Sequence, residues 1–194
     1  MNIYTKFLSG KNEIVFIGLN ATVEAVQSET VFCTRPFFWN ILKNAGFISD
    51  VQKNKNYKFP YQLMANDVFV KGNLSKIEGG LGFTDIIDNV AIINKNSTEV
   101  IVKSCHLERL MERLKNASPR KIVLLGMRVT DEFVKLDSNL KKKWEVNKKG
   151  PNEIKFSCLG KIQISNSSVC VFVVPFPETS PIANKHEYYK KVLC

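Results

Sequence analysis

The chain has 194 residues, with 28 Lys plus Arg against 18 Asp plus Glu, so its net charge is +10 and its pI near 9.4. A hydrophobic content of 44% excludes a disordered tail, and no apolar run approaches the roughly 18 residues of a membrane span. The size suits one compact domain, 1–194, with a polar excursion at about 50–80.

The positive charge points to an anionic partner, nucleic acid included, although an Asn- and Lys-rich composition produces the same excess. Residues 1–11 hold no apolar stretch before a small-residue cleavage site, so no secretory leader is expected. The five cysteines (Cys33, Cys105, Cys158, Cys170 and Cys194) are odd in number and never closely spaced. They read as reduced thiols in a cytoplasmic protein, with nucleoid association if the source is bacterial. With only His106 and His186 beside them, no metal centre is expected. Both histidines read as surface residues and Cys33 as inert.

Taken in chain order, residues 13–18 form an apolar, β-branched run that predicts a strand ending at Gly18. Residues 36–45 predict a helix, with Pro36 in its first turn, Gly46 just past its end, and Phe37, Phe38 and Trp39 facing the core. Residues 50–80 read as an irregular surface excursion with a short helix near 61–67. Residues 82–87 begin another strand or its flank, where Thr84 and Asp85 cap a turn or serve a site. Residues 102–116 place Leu107, Leu110, Met111 and Leu114 at helical spacing. Residues 121–126 predict a second buried strand. Lys141, Lys142, Lys143, Lys148 and Lys149 flank Trp144 in an expected exposed connection. Residues 153–164 read as a strand pair turning at Leu159-Gly160, and residues 169–174 as a third buried strand. A last helix is expected over 182–193. Unbroken apolar strands alternating with helices predict a three-layer α/β/α domain around a mainly parallel sheet of about four strands.

Ligands of such sheets bind beyond the carboxyl ends of the strands. Three segments fall there: Gly18-Leu19-Asn20-Ala21-Thr22, Gly126-Met127-Arg128, and the loop from Pro175 to Pro181. The crevice they define would hold an amide (Asn20), aromatics (Phe32, Phe176) and hydroxyls (Thr22, Thr179, Ser180). No catalytic triad, Walker motif or GxGxxG is present. From the residues alone, Asn20 is either a turn residue or a site amide, and Phe32 either core or a stacking surface. Thr179 and Ser180 serve equally well as a helix N-cap before Pro181.

These segments carry a resemblance. Gly18-Leu19-Asn20-Ala21-Thr22, then Val31-Phe32, then Arg35-Pro36-Phe37-Phe38-Trp39 and Ala45-Gly46-Phe47, resembles the opening of uracil-DNA glycosylase superfamily proteins. It is most similar to their mismatch-specific thymine/uracil branch. Residues 82–87 resemble that branch's G-[VFI]-T-x-[LM]-V segment, and residues 121–126 its third strand. Residues 173–184 resemble a late P-S-x-S-P-x-N form of the loop that enters the duplex. The matches keep their order over residues 13–192.

The resemblance implies a monomeric, monofunctional DNA glycosylase of base excision repair that uses no cofactor or metal. Its substrate would be uracil, hypoxanthine or thymine opposite guanine, in double-stranded or single-stranded DNA. Asn20 would be catalytic, orienting a water toward the sugar C1′. Gly18, Leu19, Thr22, Phe32 and Phe176 would bind the extruded base, with the Phe32 ring stacked on it. Arg35, Arg128, Glu178, Thr179, Ser180, Ile182 and Lys185 would face the DNA. The chain departs from the branch in three ways. Ala21-Thr22 replaces Pro-Gly, Glu178 replaces Ser, and Phe176 stands where other branches carry His or Asn. These departures keep two alternatives open: a DNA-binding module of the same fold with weak or no catalysis, and an α/β enzyme of free nucleosides.

Overall fold

In the computed structural model, which describes residues 6–8, 12–88, 100–148, 156–178 and 182–194, the apolar run after Glu13 forms strand β1 (Ile14–Asn20), buried at every position except Asn20. Burial on both faces is why this strand shows no polar alternation. It pairs in parallel with β2 (Leu81–Ile87) on one side and with β3 (Lys121–Leu125) on the other. β3 pairs in parallel with β5 (Ser167–Val174), and β4 (Cys158–Ile164) closes that edge antiparallel to β5. The order is β2-β1-β3-β5-β4, a five-stranded and mainly parallel sheet. Because β2 and β3 flank β1 on opposite sides, the chain diverges at the carboxyl end of β1, and that divergence opens a crevice.

Strand pleating divides the core in two. Val15, Ile17 and Leu19 point to the face covered by α3 (Ser104–Ala117), α4 (Met127–Phe133) and α5 (Ser138–Lys148). Ile14 and Phe16 point to the other face, against α2 (Pro36–Asn44), a π-helical turn (Asn66–Val70) and Tyr189 of α6 (Lys185–Lys190). A short helix, α1 (Val23–Gln27), follows β1 directly. No helix among the described residues is long and apolar enough to cross a membrane.

Several local expectations change. The strand pair expected over 153–164 does not turn at Leu159-Gly160. Gly160 sits at a register irregularity within β4, and the hairpin turns at Ser165 and Asn166, with Ser165 at φ +53°. Residues 149–155 lie outside the described residues. The 50–80 excursion is less superficial than its composition implies. Met64, Ala65, Val68 and Phe69 recur at helical spacing and are buried against the α2 side of the sheet. Phe38 and Trp39 face the core, but Phe37 is 61% exposed, because adjacent helical positions lie about 100° apart. His106 is buried, its Nδ1 accepting the Lys103 backbone N–H (3.1 Å) at the start of α3. The lysine-rich run is a helix rather than a connection. In α5, Leu140 and Trp144 share one face by their i, i+4 spacing and are buried, while the lysines point outward. The final helix is confined to Lys185–Lys190, within the 182–193 expected.

Trp144 anchors α5. Its ring is fully buried and its Nε1 donates to Asp131 Oδ1 at 2.8 Å. Trp144→Ala is expected to lose about 3–5 kcal/mol of stability in urea unfolding. Trp144→Phe should lose distinctly less, since only part of the ring and the N–H bond disappear.

Candidate functional site

A cleft of about 650 Å³ opens at the carboxyl ends of β1, β2 and β3. Its floor is the end of β1. Gly18 pairs in register with Asp85 of β2, and Asn20 pairs with Ile87. Gly18 and Asn20 are two residues apart, so they address the same face of the sheet. A Cβ on Gly18 would lie 2.2 Å from Asp85 Oδ1. The absent side chain therefore makes the space that the Asp85 carboxylate fills.

Asp85 is buried and lines the cleft. Its carboxylate accepts no hydrogen bond among the described residues. The nearby Arg113 guanidinium is committed elsewhere, to Asp88 Oδ2 (2.7 Å) and to the backbone carbonyls of Asp85 (2.7 Å) and Ile86 (3.4 Å). Burial pushes the Asp85 carboxyl up to about 7, while the Arg113 charge pulls it the other way. The expectation that Asp85 caps a turn gives way to a buried acid inside a strand. Its sequence signal was faint, a single acidic residue beside Thr84 in an otherwise apolar run.

Asn20 is half-buried. Its Nδ2 donates to the Ala21 carbonyl at 3.2 Å, which leaves Oδ1 without a protein donor among the described residues. Thr22 serves as the N-cap of α1, its Oγ1 accepting from Ala25 N–H at 3.2 Å. The Thr22 side chain still borders the cleft.

An aromatic stack forms one wall. Phe32 lies on Phe38 with ring centroids 3.8 Å apart and planes 18° apart, and meets Phe83 edge-on at 5.1 Å. Its backbone holds φ +52°, a conformation that non-glycine residues seldom adopt. Two donors fix it there: Trp39 Nε1 (3.0 Å) and Arg35 N–H (3.1 Å) both reach the Phe32 carbonyl. Position 32 is thus held by α2 and cannot relax without breaking those bonds.

The opposite wall is Gly126 and the loop after β5. Gly126 has φ +91°, and a Cβ there would press on Phe176 Cβ at 3.0 Å. Its N–H donates to the Val174 carbonyl at 2.9 Å, tying the ends of β3 and β5 together. The loop is anchored from below, where Tyr189 Oη donates to the Pro175 carbonyl (3.1 Å) and Lys185 Nζ to the Pro177 carbonyl. Glu178 turns inward. Burial raises its pKa, opposed by Arg35, the Phe38 backbone N–H and Lys185, and its Oε1 is buried without a partner among the described residues. The carboxylate expected beside the DNA backbone therefore addresses the start of α2.

Gly18, Leu19, Asn20, Thr22, Phe32, Arg35, Arg128, Phe176 and Glu178 all line the cleft. Two further residues expected to face the DNA, Lys185 and Ile182, do not line the cleft. Lys185 sits beneath the loop, its ammonium on Pro177, and Ile182 packs on the α3 side of the core. Thr179 and Ser180 lie outside the described residues. Arg128 is braced by Glu132 (3.0 Å) and by the Val100 carbonyl (3.0 Å). Cys33 is buried and its thiol pushed up by burial, in keeping with an inert role. The lining carries Arg35 and Arg128 against Glu24, Asp85 and Glu178, so the net charge of +10 is not concentrated in the cleft.

Comparison with known proteins places this geometry. No curated protein matches the chain. The profile of the uracil DNA glycosylase superfamily matches residues 5–193, which span every strand of the sheet and every wall of the cleft. The chain belongs to the uracil DNA glycosylase superfamily.

Proposed function

We propose that the protein is a monofunctional DNA glycosylase that draws one base out of DNA into this cleft and hydrolyses its N-glycosidic bond. The observation that carries the reading is the meeting of Asn20 and Phe32 in one cleft at the end of β1. Every nucleobase has a π-face, and Phe32, backed by Phe38, offers a rigid aromatic surface to receive one. The Asn20 amide has its N–H committed to Ala21, so Oδ1 is available to hold a water by accepting its hydrogen bond. An amide is a poor base, and its contribution is position: a water held at the sugar carbon reacts as though at high concentration.

Among the described residues lining the cleft there is no lysine. That favours water as the nucleophile over an amine that would form a Schiff base. Uracil, hypoxanthine or thymine opposite guanine is the substrate class we propose. Extrusion costs a few kcal/mol and is cheapest at a mispair, which selects before the base is read. Phe176 offers no side-chain donor to the departing base, and this favours a second reading: a binding module of the same fold that forms no abasic product.

Oligonucleotides carrying uracil, hypoxanthine or a T·G mispair, in single and double strands, followed by alkaline cleavage, separate the two readings. Abasic product is expected, and its absence on every lesion with binding retained selects the binding module. Asn20→Ala should cut the single-turnover rate by about 10²-fold with folding intact. Phe32→Leu should weaken binding of a lesion duplex by about 1–3 kcal/mol while leaving undamaged duplex unaffected. Log affinity should fall linearly with log salt concentration, and a slope near zero would exclude phosphate-driven binding.

A further inference from the structure

The cleft holds one acid whose placement no packing role accounts for. Asp85 is buried, and buried carboxylates that serve structure are ordinarily hydrogen-bonded or paired. The Asp85 carboxylate has neither kind of partner among the described residues. Arg113 reaches its backbone carbonyl instead, and binds Asp88 with its other arm. The space it fills exists because position 18 has no side chain. It addresses the same sheet face as Asn20, one strand over and two residues back. By strand spacing the two backbones lie roughly 8 Å apart, a gap that two short polar side chains and one water fill.

We propose that Asp85 is the general base of this site. Resting on the glycosylase reading above, its carboxylate takes a proton from the water that Asn20 holds. The C1′–N bond breaks and its electron pair leaves on the base. The water oxygen bonds to C1′, one water proton passes to Asp85, and the other remains on the new C1′ hydroxyl. The base anion takes a proton from solvent and Asp85 returns its own, so one water is consumed and no redox partner is required. The division of labour is chemical: the amide positions and cannot take the proton, whereas the carboxylate can.

The charges around Asp85 set its titration. From α3 the charge of Arg113 acts on it, with the guanidinium itself bound to the Asp85 backbone carbonyl and to Asp88. β1 presents only Gly18 and Asn20. Across the cleft lie Glu24, Cys33, Arg35, Arg128 and Glu178. The carboxyl titrates at about 7, where a base works best near neutral pH.

The test is single-turnover cleavage of the lesion panel by the full chain between about pH 5 and 9. The wild-type rate should climb about tenfold per pH unit and level off near 7. Asp85→Asn should lower the plateau rate by about 10²–10⁴-fold and abolish the pH-dependent limb, with lesion-duplex affinity retained. Unfolding measurements supply a readout independent of activity. A carboxyl raised above its unfolded value, about 3.9, costs the wild type stability as pH rises from there to 7, and no more above it. Asp85→Asn should therefore gain on the wild type through that window and hold a constant advantage beyond it. A wild type that forms product with no rising limb, or an Asp85→Asn protein that keeps its rate, overturns the role of Asp85 and leaves the glycosylase reading standing. A wild type that forms no abasic product on any lesion overturns both.

Discussion

The site depends on a close approach between two neighbouring strands. At register position Gly18–Asp85 a carboxylate lies where a side chain would otherwise be. Parallel pairing fixes that register along the whole of β1 and β2, since a slip of one residue would send every side chain to the wrong face. The apolar residues of β1 on both faces of the sheet therefore do more than fill the core. They hold an ionisable group, an amide and an aromatic platform in one frame.

That frame is held firmly on both sides of the cleft. Phe32 keeps a left-handed backbone because Trp39 and Arg35 hold its carbonyl. Trp39 in turn is fully buried in α2. The opposite wall is tied at Gly126 to Val174, and the loop beyond is tied at Pro175 to Tyr189. Both walls are thus braced from behind by Trp39, Val174 and Tyr189, none of which lines the cleft, which is how side chains on loops acquire defined positions. Glu178 belongs to the same scheme. Turned toward the start of α2, it joins the loop to the helix that carries the Phe38 ring, and its charge faces Arg35 and Lys185 rather than open solvent.

The electrostatics of the cleft differ from those of the whole chain. The lining mixes two arginines with three carboxyl groups, whereas the chain carries an excess of ten positive charges. The excess positive charge of the chain therefore lies outside the cleft lining. Long-range attraction follows from net charge. A nearly balanced and partly desolvated interior is what allows one acid to titrate near neutrality, because burial acts on it without a dominant cation beside it.

Patterns local to the chain were legible in the sequence. The apolar runs of β1, β3 and β5 announce strands covered on both faces, and Pro36 with Gly46 brackets α2. The glycines at the strand ends, with Asn20 and Phe32, marked where the cleft lies. Other features were set by contacts between segments far apart in the chain. The helix α5 was masked by its lysines, because two buried residues, Leu140 and Trp144, outweigh many solvated charges once a sheet lies beneath them. The inward turn of Glu178 and the placement of Lys185 under the loop depend on where α2 and α6 pack. Asp85 is the sharpest case. Sequence alone placed an acid near a strand end. Only the pairing of β1 with β2 laid it over a glycine, buried it, and left its charge without a hydrogen-bond donor among the described residues, since burial and partnership belong to the packed chain and not to any one of its segments.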